Sequence, residues 1–166
     1  MEKRIVIGGG CFWGVEEYFK RLKGVTKTTV GYANGNMENP TYQDLISHKA
    51  NHVEACELYY DDSIISLKTI LSHMFRFIDP FSINKQGGDI GVQYRTGVYY
   101  QDDEDKTIAE DFMNEMSKKY NRKVAVEVQK EKHYYLAEEY HQDYLQKNPT
   151  GYCHVNMNLI KEDEKK

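Results

Sequence analysis

Apolar positions change period repeatedly along the chain. Ile5-Val6-Ile7 is a short apolar run halted by Gly8-Gly9-Gly10, which reads as a strand turning sharply into a helix. From Trp13 to Leu22 the residues Val15, Tyr18, Phe19 and Leu22 recur at helical spacing. Val25–Ala33 reads as a strand closed by the turn Asn34-Gly35-Asn36, and Asn39-Pro40 opens a short helix with proline at its first position. His52–Tyr60 alternates as a strand and stops at Asp61-Asp62-Ser63. The strongest helix runs from about Ile64 to Ile78, with Leu67, Ile70, Leu71, Met74, Phe75 and Ile78 on its apolar face.

A polar loop containing Pro80, Gly87, Gly88 and Gly91 spans Asp79–Gly91, a length often associated with function. Strand Gln93–Tyr100, helix Asp103–Tyr120, strand Lys123–Val128 and helix Tyr134–Gln146 follow. Asn148-Pro149-Thr150-Gly151 breaks the last helix, and the charged end Lys161–Lys166 is expected to fray. This order predicts an α+β fold, a mostly antiparallel sheet with helices packed over it. No repeat or linker divides the chain, so residues 1–155 read as one domain followed by a charged tail over 156–166.

Composition narrows the function. With 166 residues the chain can bury a real core. Lys plus Arg number 22 against 26 Asp plus Glu, a net charge of −4, which gives no basic footprint for nucleic acid. Ile5-Val6-Ile7 is too short for a signal peptide, and no segment is apolar enough to span a bilayer. Three cysteines without a Cys-x-x-Cys pair argue against a secreted disulfide framework and a zinc ribbon, and for a reducing cytoplasm. His48 and His52 are four apart, but His52 opens a strand, and Cys153-His154 lacks partners at ligand spacing. No metal is expected. Gly8-x-Gly10 begins like a dinucleotide fingerprint, yet Trp13 stands where the third glycine belongs, and no phosphate-loop lysine follows.

The chemistry gathers around Cys11. After three glycines the thiol falls at the first turn of a helix, where free N–H groups and the dipole favour an anion and a lowered pKa. Phe12 and Trp13 add an apolar surface beside it. The competing reading is a buried cysteine in a glycine turn. Glu54 shares a strand face with Cys56 and Leu58, so either it is a buried acid with a raised pKa or that face is wet, and the pattern weighs the two equally. Asp89, Tyr94 and Arg95 near a glycine-rich loop, and Tyr42 after Asn39-Pro40-Thr41, are site candidates or ordinary turn and surface residues. Two other functions use the same residues. A cysteine hydrolase would pair Cys11 with His52 or His141 as base, and a peptide-binding module would use Phe12 and Trp13 as anchors.

Gly-Cys-Phe-Trp-Gly around Cys11 resembles the signature of the A-type peptide methionine sulfoxide reductases. The likeness continues through Gly31-Tyr32-Ala33, Asn39–Tyr42, His52-Val53-Glu54, Asp79-Pro80, Gln86–Arg95, Ala137–Gln142 and Asn148–Cys153, in the family's order and over nearly the whole chain. The resemblance implies a two-layer α+β sandwich with a ferredoxin-like core. It also implies a protein-repair activity that reduces the S epimer of methionine sulfoxide, free or in proteins, without a cofactor. By the same resemblance Cys11 is the nucleophile and Glu54 the acid. Tyr42 and Tyr94 donate to the sulfoxide oxygen, Asp89 is a polar member of the pocket, and Phe12 and Trp13 cradle the S-methyl group. Cys153 matches the first resolving cysteine, with thioredoxin as reductant and the protein acting as a monomer. Many members carry a further cysteine beyond this point, and here there is none. Direct reduction of a Cys11–Cys153 disulfide is the simpler cycle, and Cys56 reads as core filler.

Overall fold

The computed structural model describes residues 1–166. Strands β1 (Glu2–Gly9), β2 (Val25–Ala33) and β3 (Val53–Asp61) lie at the centre of a six-stranded sheet of order β7-β6-β1-β3-β2-β8. Strand β6 (Thr96–Tyr100) pairs antiparallel with β1, and β7 (Glu127–Lys130) adds the one parallel pair. Strand β8 (Tyr134–Leu136) closes the far edge against Gly31–Ala33. Helices α1 (Phe12–Lys20), α3 (Leu67–Phe77) and α4 (Asp103–Lys119) supply side chains to one continuous core with Ile5, Ile7, Cys56, Leu58 and Val98. Met74 and Met113 are buried in that core. The result is a mixed α/β fold built on a mostly antiparallel sheet. No helix is long and apolar enough to cross a membrane.

Register decides which face each residue serves. Cys56 lies opposite Ile7 and Val30, and Glu54 lies opposite Tyr32. The set Glu54, Cys56, Leu58 therefore faces inward, because side chains alternate across a strand. Val15, Tyr18, Phe19 and Leu22 are all at most 1% exposed, as their spacing predicts.

Several boundaries differ from the pattern. The expected helix Tyr134–Gln146 is instead β8, a 3-10 turn Glu139–His141 and the short helix α5 (Tyr144–Lys147). The open edge of β2 wins over helical spacing there. The Gln142 side chain accepts from Val30 N–H (2.9 Å) and donates to the Val30 carbonyl (2.8 Å), and Asp143 adopts a left-handed φ of 52°. Helix α2 (Tyr42–Ile46) is started by a Thr41–Asp44 capping box, so Pro40 precedes the helix and does not open it. Ser66 caps α3, so the helix begins at Leu67, three residues after the expected Ile64. Residues 92–94 form a 3-10 turn ahead of β6, and β7 begins at Glu127, with Ala125 N–H held by the Pro80 carbonyl instead of a ladder.

The chain end expected to fray is docked. Glu164 takes two hydrogen bonds from Arg76 (2.7 and 2.8 Å), which draws its carboxyl down to about 2, and Lys165 bridges to Leu22. Charge alone suggested a loose tail, whereas Ile160 is 3% exposed in the core.

Candidate active site

Strand β1 delivers the chain to a turn at Gly10, whose φ of +94° suits glycine. A Cβ at Gly10 would lie 2.8 Å from both the Gln86 side chain and His154 Nε2, so closeness as well as conformation requires its absence. Gln86 is fixed by accepting from Asp79 N–H and donating to the Asp79 carbonyl, both at 2.8 Å. That crossing ties the Asp79–Gly91 loop, with its hairpin β4 (Lys85–Gln86) and β5 (Asp89–Ile90), to the start of α1.

Cys11 occupies the N-cap of α1 and is 7% exposed. A lowered thiol pKa is the expectation from that position, and the structure corrects it. Burial raises the Cys11 thiol well above its ordinary value, and the negative charge of Glu54 adds to the rise, while the Trp13 backbone N–H opposes both. Desolvation outweighs the helix terminus here.

Glu54 sits near the start of β3, on the inward face of the sheet, at 2% exposure. Its Oε1 accepts the Phe12 backbone N–H at 3.3 Å, directly beside Cys11 in the chain. Burial pushes the carboxyl up to about 8, against the opposing pull of that N–H, with a smaller rise from Asp89. Of the two readings open from the pattern, the buried acid is the one observed.

Two tyrosines converge on this pair. Tyr42 is the first residue of α2, and its backbone N–H donates to Glu138 at 3.0 Å. Burial pushes its phenol up to about 12, followed by the charges of Glu54 and Cys11. Tyr94 ends the 3-10 turn before β6, and its phenol rises through burial, then through Glu54, Tyr42 and Cys11. Asp89 acts on all four of these groups and accepts the Tyr152 hydroxyl at 2.8 Å. Arg95, a further candidate, turns away: it pairs with Glu127 at 3.1 Å and donates to the carbonyls of Asn51 and Val92.

Phe12 is buried against Tyr32 at 5.8 Å between ring centroids. Trp13 stacks face to face on Tyr144 at 3.7 Å and donates its indole N–H to His141 Nδ1 at 3.0 Å. His52 Nε2 is taken by the Met37 carbonyl at 2.9 Å. Neither histidine proposed as a hydrolase base hydrogen-bonds Cys11. No three His, Cys, Asp or Glu side chains gather into a possible metal site.

Cys153 rests against α1 one turn beyond Cys11. A Cβ on Gly14 would lie 3.0 Å from its Sγ, which donates to the Val155 carbonyl at 3.2 Å. A cleft of about 190 Å³ opens beside it, bordered by Glu17, Arg21, Leu145, Pro149 and Met157. Cys56 is wholly buried and its thiol is held well above the ordinary range by that burial. All three cysteines are free. Tyr152 and Glu138 carry no site role in the pattern, and His141 enters it only as a hydrolase base, whereas in the structure its Nδ1 takes the Trp13 indole N–H. Tyr152 is flagged locally by its place next to Cys153, while the contacts of Glu138 with Tyr42 and of His141 with Trp13 arise from folding.

A buried thiol beside a buried, protonatable carboxyl on a mixed α/β scaffold is an arrangement suited to thiol redox chemistry. The family model described as peptide methionine sulfoxide reductase matches residues 3–166. A peptide methionine sulfoxide reductase MsrA of Ureaplasma urealyticum is 50% identical over 161 residues, covering 97% of this chain and 98% of the relative. The crystal structure of Mxr1 from Saccharomyces cerevisiae in reduced form superposes with a TM-score of 0.87 at 34% identity, covering 93% of this chain and 91% of the other. Methionine sulfoxide reductase A of Corynebacterium diphtheriae gives 0.80 at 32% identity, covering 92% and 77%. The chain belongs to the peptide methionine sulfoxide reductase family.

Proposed function

We propose that this protein reduces the S epimer of methionine sulfoxide, in proteins and as the free amino acid, with Cys11 as nucleophile and Glu54 as proton carrier. The observation that carries the reading is the buried pair itself. A thiol at the start of α1 lies beside a carboxyl that accepts the Phe12 N–H at 3.3 Å and stays protonated up to a pH of about 8. A sulfoxide oxygen leaves sulfur poorly until it is protonated, so the reaction needs an acid as well as a soft nucleophile.

Burial disfavours a lone charge on either Cys11 or Glu54. Glu54 passes its proton to the sulfoxide oxygen as Cys11 sulfur bonds to the substrate sulfur, and it recovers a proton from the thiol. Taking a second proton from Glu54, the oxygen leaves as water and the S–O bond breaks, so that Cys11 is held to the substrate sulfur as a sulfonium. That water then attacks the Cys11 sulfur, breaking the S–S bond, releasing methionine and returning a proton to Glu54. Cys11 keeps the oxygen as a sulfenic acid, so sulfoxide is reduced by two electrons and the thiol oxidised by two. Tyr42 and Tyr94 donate to the oxygen, Asp89 lies in the polar half of the pocket, and Phe12 and Trp13 take the methyl group. The Cys153 thiol attacks the sulfenic acid, forming the Cys11–Cys153 disulfide and releasing water. Thioredoxin reduces that bond by dithiol exchange, and three free cysteines suit a reducing cytoplasm. The protein works as a monomer.

The test is incubation of each separated epimer with the protein and dithiothreitol, followed by chromatography of methionine. Consumption of the S epimer alone is expected. Loss of the R epimer at a comparable rate, or no loss of either, overturns the reading.

A further inference from the structure

The segment 137–143 touches the site from outside, and neither the nucleophile, the acid nor the tyrosine donors account for it. It is bolted down at several points. Gln142 replaces a ladder partner of β2 with bonds to Val30 N–H and carbonyl. Glu138 accepts the Tyr32 hydroxyl at 2.7 Å and the Tyr42 N–H at 3.0 Å. Asp143 N–H donates to the buried Glu16 at 2.8 Å. Between these anchors His141 points its ring into the site wall, with 1% exposure.

Its ring is a hub. Centroids of Tyr140, Tyr42, Phe12 and Trp13 lie 4.1, 4.6, 5.2 and 5.8 Å away. Its Nδ1 accepts the Trp13 indole N–H, while Nε2 is buried without a protein partner. A phenylalanine would fill the same space among these rings and leave no polar nitrogen unpaired. What histidine adds is the acceptor for Trp13.

We propose that His141 is a positioning residue, which fixes the Trp13 indole through its Nδ1 and wedges Phe12 and Tyr42 in place, so that the pocket selects for the substrate's S-methyl group. This rests on the reading of Phe12 and Trp13 as the methyl cradle. Two independent restraints, the hydrogen bond and the Tyr144 stack, hold the indole in one pose. Burial keeps His141 below its ordinary range, against Glu138, so the ring remains a neutral acceptor. A methyl contact present in both ground and transition states affects KM and leaves kcat alone.

Trp13 is the sole tryptophan, so its signals report this site without interference. In the wild-type protein the single indole N–H proton resonance should lie downfield and exchange slowly with solvent. H141F should return it to the free-indole position, alter Trp13 emission and raise KM for the sulfoxide about tenfold, the scale of one lost hydrogen bond, with kcat changed less than about twofold. H141N, which keeps an acceptor, should restore most of the emission and the KM. H141F should add nothing to the KM of W13F. A wild-type indole proton at the free position overturns the proposal without any variant having to fold. So does H141N matching H141F, or additive KM effects in the double variant. If the indole proton is bonded but neither epimer is reduced, the anchor stands and the proposed reaction fails.

Discussion

Gly14 and Cys153 touch across the boundary between helix α1 and the C-terminal segment, and the helix has no side chain where the sulfur rests. Any Cβ on Gly14 would sit 3.0 Å from Cys153 Sγ and equally close to Val155 Cγ2. Gly14→Ala should therefore lift the segment, since overpacking costs about 1–3 kcal/mol. Alkylation of Cys153 by iodoacetamide should quicken roughly tenfold, the equivalent of about 1.4 kcal/mol. An unchanged labelling rate would show that the packing is not as described.

Cys153 should matter for recycling and not for attack on the sulfoxide. Cys153→Ser should release one methionine per protein in a single turnover and then stall with thioredoxin, which needs a disulfide. Dithiothreitol should restart it. Undiminished thioredoxin-driven turnover, or a Cys11–Cys56 link in peptide maps of the wild type, would refute this cycle.

Cys11→Ser should abolish reduction with every reductant, because a hydroxyl is far less nucleophilic toward sulfur than a thiol. Turnover of the S epimer above a no-protein control would remove Cys11 from its proposed role.

Glu54→Gln should lower the rate about 10²–10⁴-fold, the usual worth of general acid catalysis. Stability moves the other way. The folded carboxyl holds its proton up to about 8, above the ordinary value of 4.5, so between those pH values the unfolded state releases a proton that the folded state keeps. This contribution is fully present below 4.5 and is lost as pH rises through 8, at about 1.4 kcal/mol per pH unit. Glutamine has no such loss. The melting temperature of Glu54→Gln relative to wild type should rise from pH 5.5 to pH 8, and parallel curves would show that Glu54 is not buried as an acid.

Tyr42→Phe and Tyr94→Phe should each slow reduction modestly, and the pair together more than the sum. Each hydroxyl can cover for the other at the same oxygen. One neutral hydrogen bond is worth about 1 kcal/mol, and an unpaired buried oxygen costs more. Kinetics of the double variant equal to wild type would exclude the role.

Local pattern carried much of this site because its parts are encoded by short stretches. Cys11 follows a strand and three glycines, so its place at the start of a helix is legible. Glu54 shares its face with Cys56 and Leu58, and the pattern leaves that face either buried or wet until the fold decides it. What the pattern missed depends on contacts far apart in the chain. The apolar spacing from Tyr134 to Gln146 looks helical, but the free edge of β2 captured it through Gln142. Thiol ionisation is hidden for a related reason. The helix start is visible locally, whereas the burial that overrides it, and the charges of Glu54 on β3 and Asp89 in the loop that add to it, come from residues distant in the chain. The hydrogen bond between Trp13 and His141 spans 128 positions and leaves no local trace.

The placement of the thioethers has its own consequence. Of six methionines only Met1, 87% exposed, stands free in solvent, while Met74 and Met113 lie inside the core. Conversion of a core methionine to its sulfoxide would set a polar group among close-packed hydrocarbon and loosen the fold. Peroxide meets the exposed N-terminal residue first, then the half-buried Met37, Met116 and Met157, and the core pair last. The protein is thus built to keep its shape under the same oxidants that create its substrate.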